Sequence, residues 1–421
     1  MTKLQRIIAS AVASGSLLVS AALPLMAQTT VVISDNGAGS NNSAVVTQTT
    51  VTTVNQSNTA NVVNDIDADA ETGDNDANFN TGGDVTISTG KASVAAVVTN
   101  DLNSNAAQVG CCASGATEVE IKGNGVFSDN LVTLGQSNVT AVSQSNSAKV
   151  KNLIEMDADS GENDANMNTG GDVTILTGNA KTSAVVSTHA NENWAKVGPA
   201  LGGLGSSTVS LKILDNGAGS TNWIVANLAK ISTLDQSNSA DVKNDVDADA
   251  ESGDNDANFN TGGEVLIDTG DAEVAVGIDN DVNFNYADMD CGCAMGLIAK
   301  IEGNGADPFC DKPSNLLGDN AILATLTSIQ TFGQGNGAYL TNLYDDDNDV
   351  ETGENEIKMS TGEGGGDPSI LTGNAAVTVG ISNSGNVNSI GSLSPLSWPL
   401  PSVQMSFDWV AFWAFFGLHV G

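Results

Sequence analysis

Apolar residues in this chain come in short runs separated by polar punctuation. In the first ninety residues after the N-terminus the chain reads Ser43-Ala44-Val45-Val46, then Ser57-Asn58-Thr59-Ala60-Asn61-Val62, then Thr89-Gly90-Lys91-Ala92-Ser93-Val94. Nothing in residues 28–392 sustains a 3.6-residue apolar period over three turns, so helices are not expected. The runs are rich in Val, Ile and Thr, whose branched side chains suit a pleated surface, and turn-forming residues bound them. Asn-Gly and Thr-Gly pairs supply the positive φ of tight turns. The pattern predicts an all-β protein.

The same pattern recurs. Ile33-Ser34-Asp35-Asn36-Gly37 returns as Ile121-Lys122-Gly123-Asn124-Gly125, as Ile213-Leu214-Asp215-Asn216-Gly217 and as Ile301-Glu302-Gly303-Asn304-Gly305. Gln56-Ser57-Asn58 returns at 144, 236 and 334, and a glycine marks 73, 161, 253 and 353. Four tandem copies of about ninety residues fill most of the chain, the signature of a stacked repeat architecture. The expected layout is a signal peptide over 1–27, repeats over 28–117, 118–205, 206–296 and 297–392, and a Pro-containing linker with an aromatic tail over 393–421. Within a copy, the alanines at 44, 60, 77 and 92 are spaced about sixteen residues apart. Taken as one rung per spacing, they predict a β-solenoid of some 16–20 rungs, a rod roughly 80–100 Å long. Ala60, Ala77 and Ala92 would face a thin interior, with stacked Asn side chains bonding along the axis. The alternative is four tandem β-sandwich domains.

Charge narrows the partners. Fifty Asp and Glu face 14 Lys and Arg, a formal net charge of -36. That argues against nucleic acid, which needs a basic face, and against an anionic lipid surface. The N-terminus places Lys3 and Arg6 before the apolar run Ile7–Leu25 and ends on Leu25-Met26-Ala27, the layout of a secretory signal peptide cleaved near Ala27. An extracellular or cell-surface location follows. Arg6 is the only arginine, so the mature chain would have none of the bidentate forks that grip phosphate or carboxylate.

The densest charge is Asp65-Ile66-Asp67-Ala68-Asp69-Ala70-Glu71. Asp157 and Asp159 repeat it in the second copy, Asp245, Asp247, Asp249 and Glu251 in the third, and Asp345, Asp347 and Asp349 in the fourth. Alternation puts the acids on one face of a strand and Ile66, Ala68 and Ala70 on the other. These thirteen carboxylates are candidate calcium ligands, since hard cations take oxygen donors and an exported protein meets calcium. Ala70 and Ala250 stand where a calcium loop of this spacing requires Gly. The competing reading is a solvated acidic face that keeps neighbours apart. No cofactor is required. A catalytic carboxylate pair would be unique in the chain, whereas these acids recur in each copy, so an enzyme is not expected.

In an exported chain disulfides are the default, and Cys111, Cys112, Cys291, Cys293 and Cys310 are available for them, within the chain or between chains. His189 stands where other copies have Asp101, Asp281 and Ser384 and reads as a surface substitution. The Asn sets at 100, 103 and 105, at 280, 283 and 285, and at 383, 386 and 388 read as turn or ladder positions. The tail Phe407–Leu418 is aromatic, nearly uncharged and too short to span a bilayer. It suits a membrane interface, a partner's pocket or a cap on the last rung.

Gly333-Gln334-Gly335-Asn336-Gly337-Ala338 resembles the core of the curlin repeat, Gly-x-Gly-Asn-x-Ala, and Gln56-Ser57-Asn58-Thr59-Ala60 and Gln144-Ser145-Asn146-Ser147-Ala148 are looser versions. At the level of the whole chain the sequence resembles Asn/Thr/Gly-rich secreted surface repeat proteins of bacteria, including adhesins. That resemblance implies an exported structural or adhesive protein that self-associates or binds a glycan or protein on a cell surface. The alternatives are a curli-like fibre subunit and a β-helix that binds or cleaves polysaccharide.

Overall fold

The computed structural model describes residues 3–13, 29–111, 115–198, 207–291, 295–305, 320–344, 350–361 and 367–391. Every regular element among them is a strand. β1 is Lys3–Ala13. The first coil holds β2 (Thr29–Ser34), β3 (Asn41–Glu71), β4 (Asn75–Asp76), β5 (Val85–Ser88) and β6 (Ala92–Gly110). The second holds β7 (Gly115–Lys122), β8 (Asp129–Asp159), β9 (Asn163–Asp164), β10 (Val173–Leu176) and β11 (Ala180–Gly198). The third holds β12 (Ser207–Leu214), β13 (Thr221–Glu251), β14 (Asn255–Asp256), β15 (Val265–Asp268) and β16 (Ala272–Met289). The fourth holds β17 (Met295–Glu302), β18 (Asn320–Tyr344), β19 (Val350–Glu351), β20 (Ser369–Leu371) and β21 (Ala375–Ile390).

Among the described residues of the four coils, strands pair in parallel with their counterparts in the neighbouring coil. The ladder β3-β8-β13-β18 runs in unbroken register from Asn41↔Asp129 to Glu71↔Asp159. The ladders β2-β7-β12-β17, β5-β10-β15-β20 and β6-β11-β16-β21 follow the same rule. This is a β-solenoid, and pairing across copies is incompatible with four separate sandwiches. The repeat boundary expected at 117/118 falls inside β7.

The size of a rung differs from the sequence expectation. Each ninety-residue copy is a single coil, not four or five rungs. The polar triplet Gln56-Ser57-Asn58 reads as a turn but sits in the middle of the 31-residue β3, with Gln56 buried. Asn and Gln mark turns when their side chains bond locally; here they bond to the next coil instead. The molecule is therefore wide and short. β3 alone spans about 100 Å of extended chain, while four coils rise only about 15–20 Å.

In cross-section the long β3-type sheet faces two shorter ones laid end to end. Val31 and Ile33 on the β2-type sheet pack against the start of the long sheet at Val132 and Leu134. Ala92, Val94, Ala96 and Val98 on the β6-type sheet pack against its far end at Ile66, Ala68 and Ala70. Ala60 and Ala92 are buried as expected, and Ala77 packs half-buried on the cluster around Ile87 and Ile175.

Between the apolar clusters the interior is polar and laddered. Asn36 Nδ2 donates to Asn124 Oδ1 (2.8 Å), Asn124 to Asn216 (2.9 Å) and Asn216 to Asn304 (2.9 Å). The two facing sheets are also stitched to each other: Asn58 donates to Asn105, Asn105 to Asn146, Asn146 to Asn193, and Asn193 to Asn238. The Asn sets at 103, 191, 283 and 386 are ladder positions, with left-handed backbone (φ 58°, 67°, 65° and 57°) that bends each strand at that point. A buried amide left unpaired costs about 1–3 kcal/mol, so each position needs a polar partner above and below, usually another Asn, with Thr188 serving Asn100.

One glycine row is set by the same stacking. A Cβ on Gly73 would lie 1.7 Å from Gly161 O, on Gly161 1.8 Å from Gly253 O, and on Gly253 1.9 Å from Gly353 O. Only Gly lets the backbones approach this closely.

Cys111 and Cys291 are disulfide-bonded, Cα atoms 5.8 Å apart, linking the ends of the first and third coils. Cys112, Cys293 and Cys310 lie outside the described residues, as do Ala27 and the aromatic tail. Lys3–Ala13, inside the expected signal peptide, lies along the outer edge of β6 from Lys3↔Ala92 to Ala13↔Leu102.

Candidate functional site

The acidic repeats converge on one arc of the coil, where β3 ends and the chain turns through β4 toward β5. Asp65, Asp67, Asp69 and Glu71 are exposed while Ile66, Ala68 and Ala70 are buried, the division that strand alternation predicts. Parallel register then stacks acid on acid. Asp67 lies beside Glu155, and Glu155 beside Asp247; Asp69, Asp157 and Asp249 form the next row. Glu71, Asp159, Glu251 and Glu351 form another. Asp65 and Asp245 flank Leu153, which interrupts their row. Asp345, Asp347 and Asp349 lie outside the described residues.

The arc continues beyond the thirteen residues singled out by sequence. Asp74, Glu162, Asp254 and Glu354 follow the glycine row, each on left-handed backbone (φ 53–58°). Asp76 lies beside Asp164, Asp164 beside Asp256, and Asp256 beside Glu356. Glu251, Asp254, Glu351 and Glu354, with Gly253 and Gly353, line a small open cavity of about 140 Å³.

Such rows resist full ionisation. Burial, then Glu162, Asp157 and Glu71, raises the Asp159 carboxyl to about 6 despite a hydrogen bond from the Gly161 N–H at 2.7 Å. Burial raises Asp157, reinforced by Asp69, Glu71 and Asp247. Glu162 and Asp164 rise for the same two reasons in the same order. All four belong to the second coil, which has acids on both sides.

The carboxylates run in parallel ladders and do not converge. Among the described residues no three His, Cys, Asp or Glu close on one point in the manner of a metal cage. A cation on this face would bridge neighbours along the axis.

Sequence reasoning missed a second row on the arc. Phe79, Met167, Phe259 and Met359 hold left-handed backbone (φ 62°, 59°, 59° and 51°) and are exposed, Phe79 by 72 %. Their amides are tied across coils, Phe79 N–H to Asn166 O (2.9 Å) and Met167 N–H to Asn258 O (2.8 Å). Bulky residues avoid this region of φ, at a cost of order 1–3 kcal/mol, and solvent exposure returns nothing for it. The available signal was positional: each stands six residues after the repeated glycine.

His189 stands in the ladder between Asp101 and Asp281 on the opposite sheet, its Nε2 3.6 Å from Asp281 Oδ2. Nearby Glu192 is raised to about 7, first by burial and then by Asp101 and Asp281.

No family model matches the chain, and no curated protein or solved structure is similar enough to count as a match.

Proposed function

We propose that this is an exported, non-catalytic surface protein, structural or adhesive, whose stacked coils present one repeated contact edge. The observation that supports this is the arc: the same exposed Phe or Met tooth, flanked by the same acids, occurs once per coil at coil spacing. Repetition of a weak contact at fixed spacing favours multivalent attachment, in which several modest contacts combine. A catalytic site would gather unlike groups once. The partner is a cell-surface glycan or protein carrying apolar and cationic groups.

The test has two parts. Fractionation of the producing cell should find the chain outside the cytoplasm, with its N-terminus near residue 28. Binding of the purified protein to cells and to a glycan array is then compared with a variant carrying Phe79→Ser and Phe259→Ser. Loss of binding with an unchanged melting curve supports the reading; equal binding by both proteins, or a cytoplasmic chain, overturns it.

Calcium is a second proposal, carried by the stacked carboxylate rows. Millimolar calcium should raise the melting temperature relative to chelator, and no shift would remove it. Bound calcium would be an organiser of the arc, not a reactant.

A further inference from the structure

The two ends of the coil stack are complementary, and we infer that copies of this chain add head to tail, the fourth coil of one seating on the first coil of the next. The inference goes beyond the surface reading and rests on it only for the removal of residues 1–27; adhesion is tested at the arc and assembly at the ends.

The core of the solenoid is open at the fourth coil. Val377, Val379 and Ile381 continue the rows of Val274, Val276 and Ile278, yet are 51 %, 40 % and 48 % exposed where their neighbours are buried. Ile301 and Phe332 continue the buried rows of Ile213 and Leu234 and are likewise exposed. These inward-facing side chains lack the cover that a fifth coil would give. The occupant needs parallel strands of the same length and register. The first coil offers them: Val94, Ala96 and Val98 stand in the same rows as Val377, Val379 and Ile381.

The amide ladders add direction. In each Asn ladder the Nδ2 of one coil donates to the Oδ1 of the following coil, as in Asn42 to Asn130, Asn130 to Asn222 and Asn222 to Asn320. The Gln ladder runs the opposite way, Gln334 to Gln236, Gln236 to Gln144 and Gln144 to Gln56. Opposite ends of two copies therefore present a matched donor and acceptor, the Asn320 amide N–H over the Asn42 amide oxygen. Like ends meet donor to donor at the fourth coil and acceptor to acceptor at the first. A heterologous contact of this kind does not close on itself and yields an open filament.

The edge of β6 holds a parallel strand in continuous register, β1 of the same chain, so the first coil can receive a second copy there once residues 1–27 are removed.

Assembly is followed by sedimentation velocity and negative-stain microscopy over a concentration series. The whole chain is compared with the same chain cut after Ala27, at an ionic strength that screens the stacked acids. Open-ended growth is expected from the chain cut after Ala27, and none from the whole chain, whose first coil carries β1 along β6. Gly353→Val is the decisive variant. A Cβ on Gly353 meets nothing within 4 Å, so the single chain should fold unchanged, but in a stack it meets the backbone at Gly73 of the next copy. Alone it should not grow. Added in small amounts to the otherwise unmodified cut chain it should shorten filaments in proportion, because its first coil still docks. Ile381→Lys should act the same way through a charge buried at the joint. Three results overturn the proposal: a dimer that stops at two, filaments indifferent to both variants, or a cut chain that is a monomer at every concentration. Protection from hydrogen exchange along β21 in that monomer would identify the C-terminal tail as the occupant.

Discussion

The third coil and the fourth carry nearly the same side chains and live in different environments. Ile278 is 1 % exposed and Ile381 48 %, although they occupy one row of one ladder. Burial in this fold is thus conferred by the neighbouring coil more than by a residue's own. Stability is then a sum of coil-to-coil interfaces, with the ends as the weak members.

Four substitutions or conditions would break or sharpen that comparison. The largest effect should come from the Cys111–Cys291 disulfide, which closes a loop of 180 residues. Chain entropy assigns such a closure about 5 kcal/mol. Cys291→Ser should lower the denaturant midpoint steeply, while hydrogen exchange in β18 and β21, outside the staple, should change least.

Next is the glycine row. Gly161→Ala forces a methyl group to 1.8 Å from Gly253 O, whereas the same change at Gly353 meets nothing. The first should cost upwards of about 3 kcal/mol, and the second little. Thermal melts that show equal losses would contradict the stacked geometry.

Ile278→Ala and Ile381→Ala remove the same atoms from an inner and an outer coil. The inner change should cost roughly 2–4 kcal/mol and the outer one well under half of that. If both cost the same, the fourth coil is covered in solution, and repeating the melts at low and high protein concentration would tell whether a second copy covers it.

The smallest effect is on pH. The folded protein holds protons on Asp159 and Glu192 more tightly than the unfolded chain, at about 6 and about 7 against ordinary values of 3.8 and 4.5. Both therefore weaken the fold when ionised. Stability should rise as pH falls from above 7 toward 4, and both gains are complete below the unfolded values. Glu192→Gln should flatten the upper part of that rise and Asp159→Asn the lower part, read from melting temperature against pH.

Much of this was legible in the chain, in an uneven way. The recurrence of Ile33, Gln56 and Gly73 at 88 residues and then 92 is the register of the stack itself, because parallel ladders set like residue beside like. The outward face of Asp65, Asp67 and Asp69 followed from alternation alone. The rung was misjudged, since polar Asn and Gln inside a strand have the same composition as a turn. Only pairing with a polar counterpart in the next coil makes them interior residues. The Phe79 row was invisible because a single apolar residue between asparagines carries no period.

The sequence by itself determined the kind of structure, its repeat and the sidedness of its acids, all of which depend on local pattern and on likeness between copies. The tertiary structure decided how much chain makes one coil and which Asn faces inward. It also decided that Gly161 admits no side chain while Gly353 does. Those properties depend on what lies 4.8 Å away along the axis, and a residue's nearest neighbours there are some ninety positions distant in the chain.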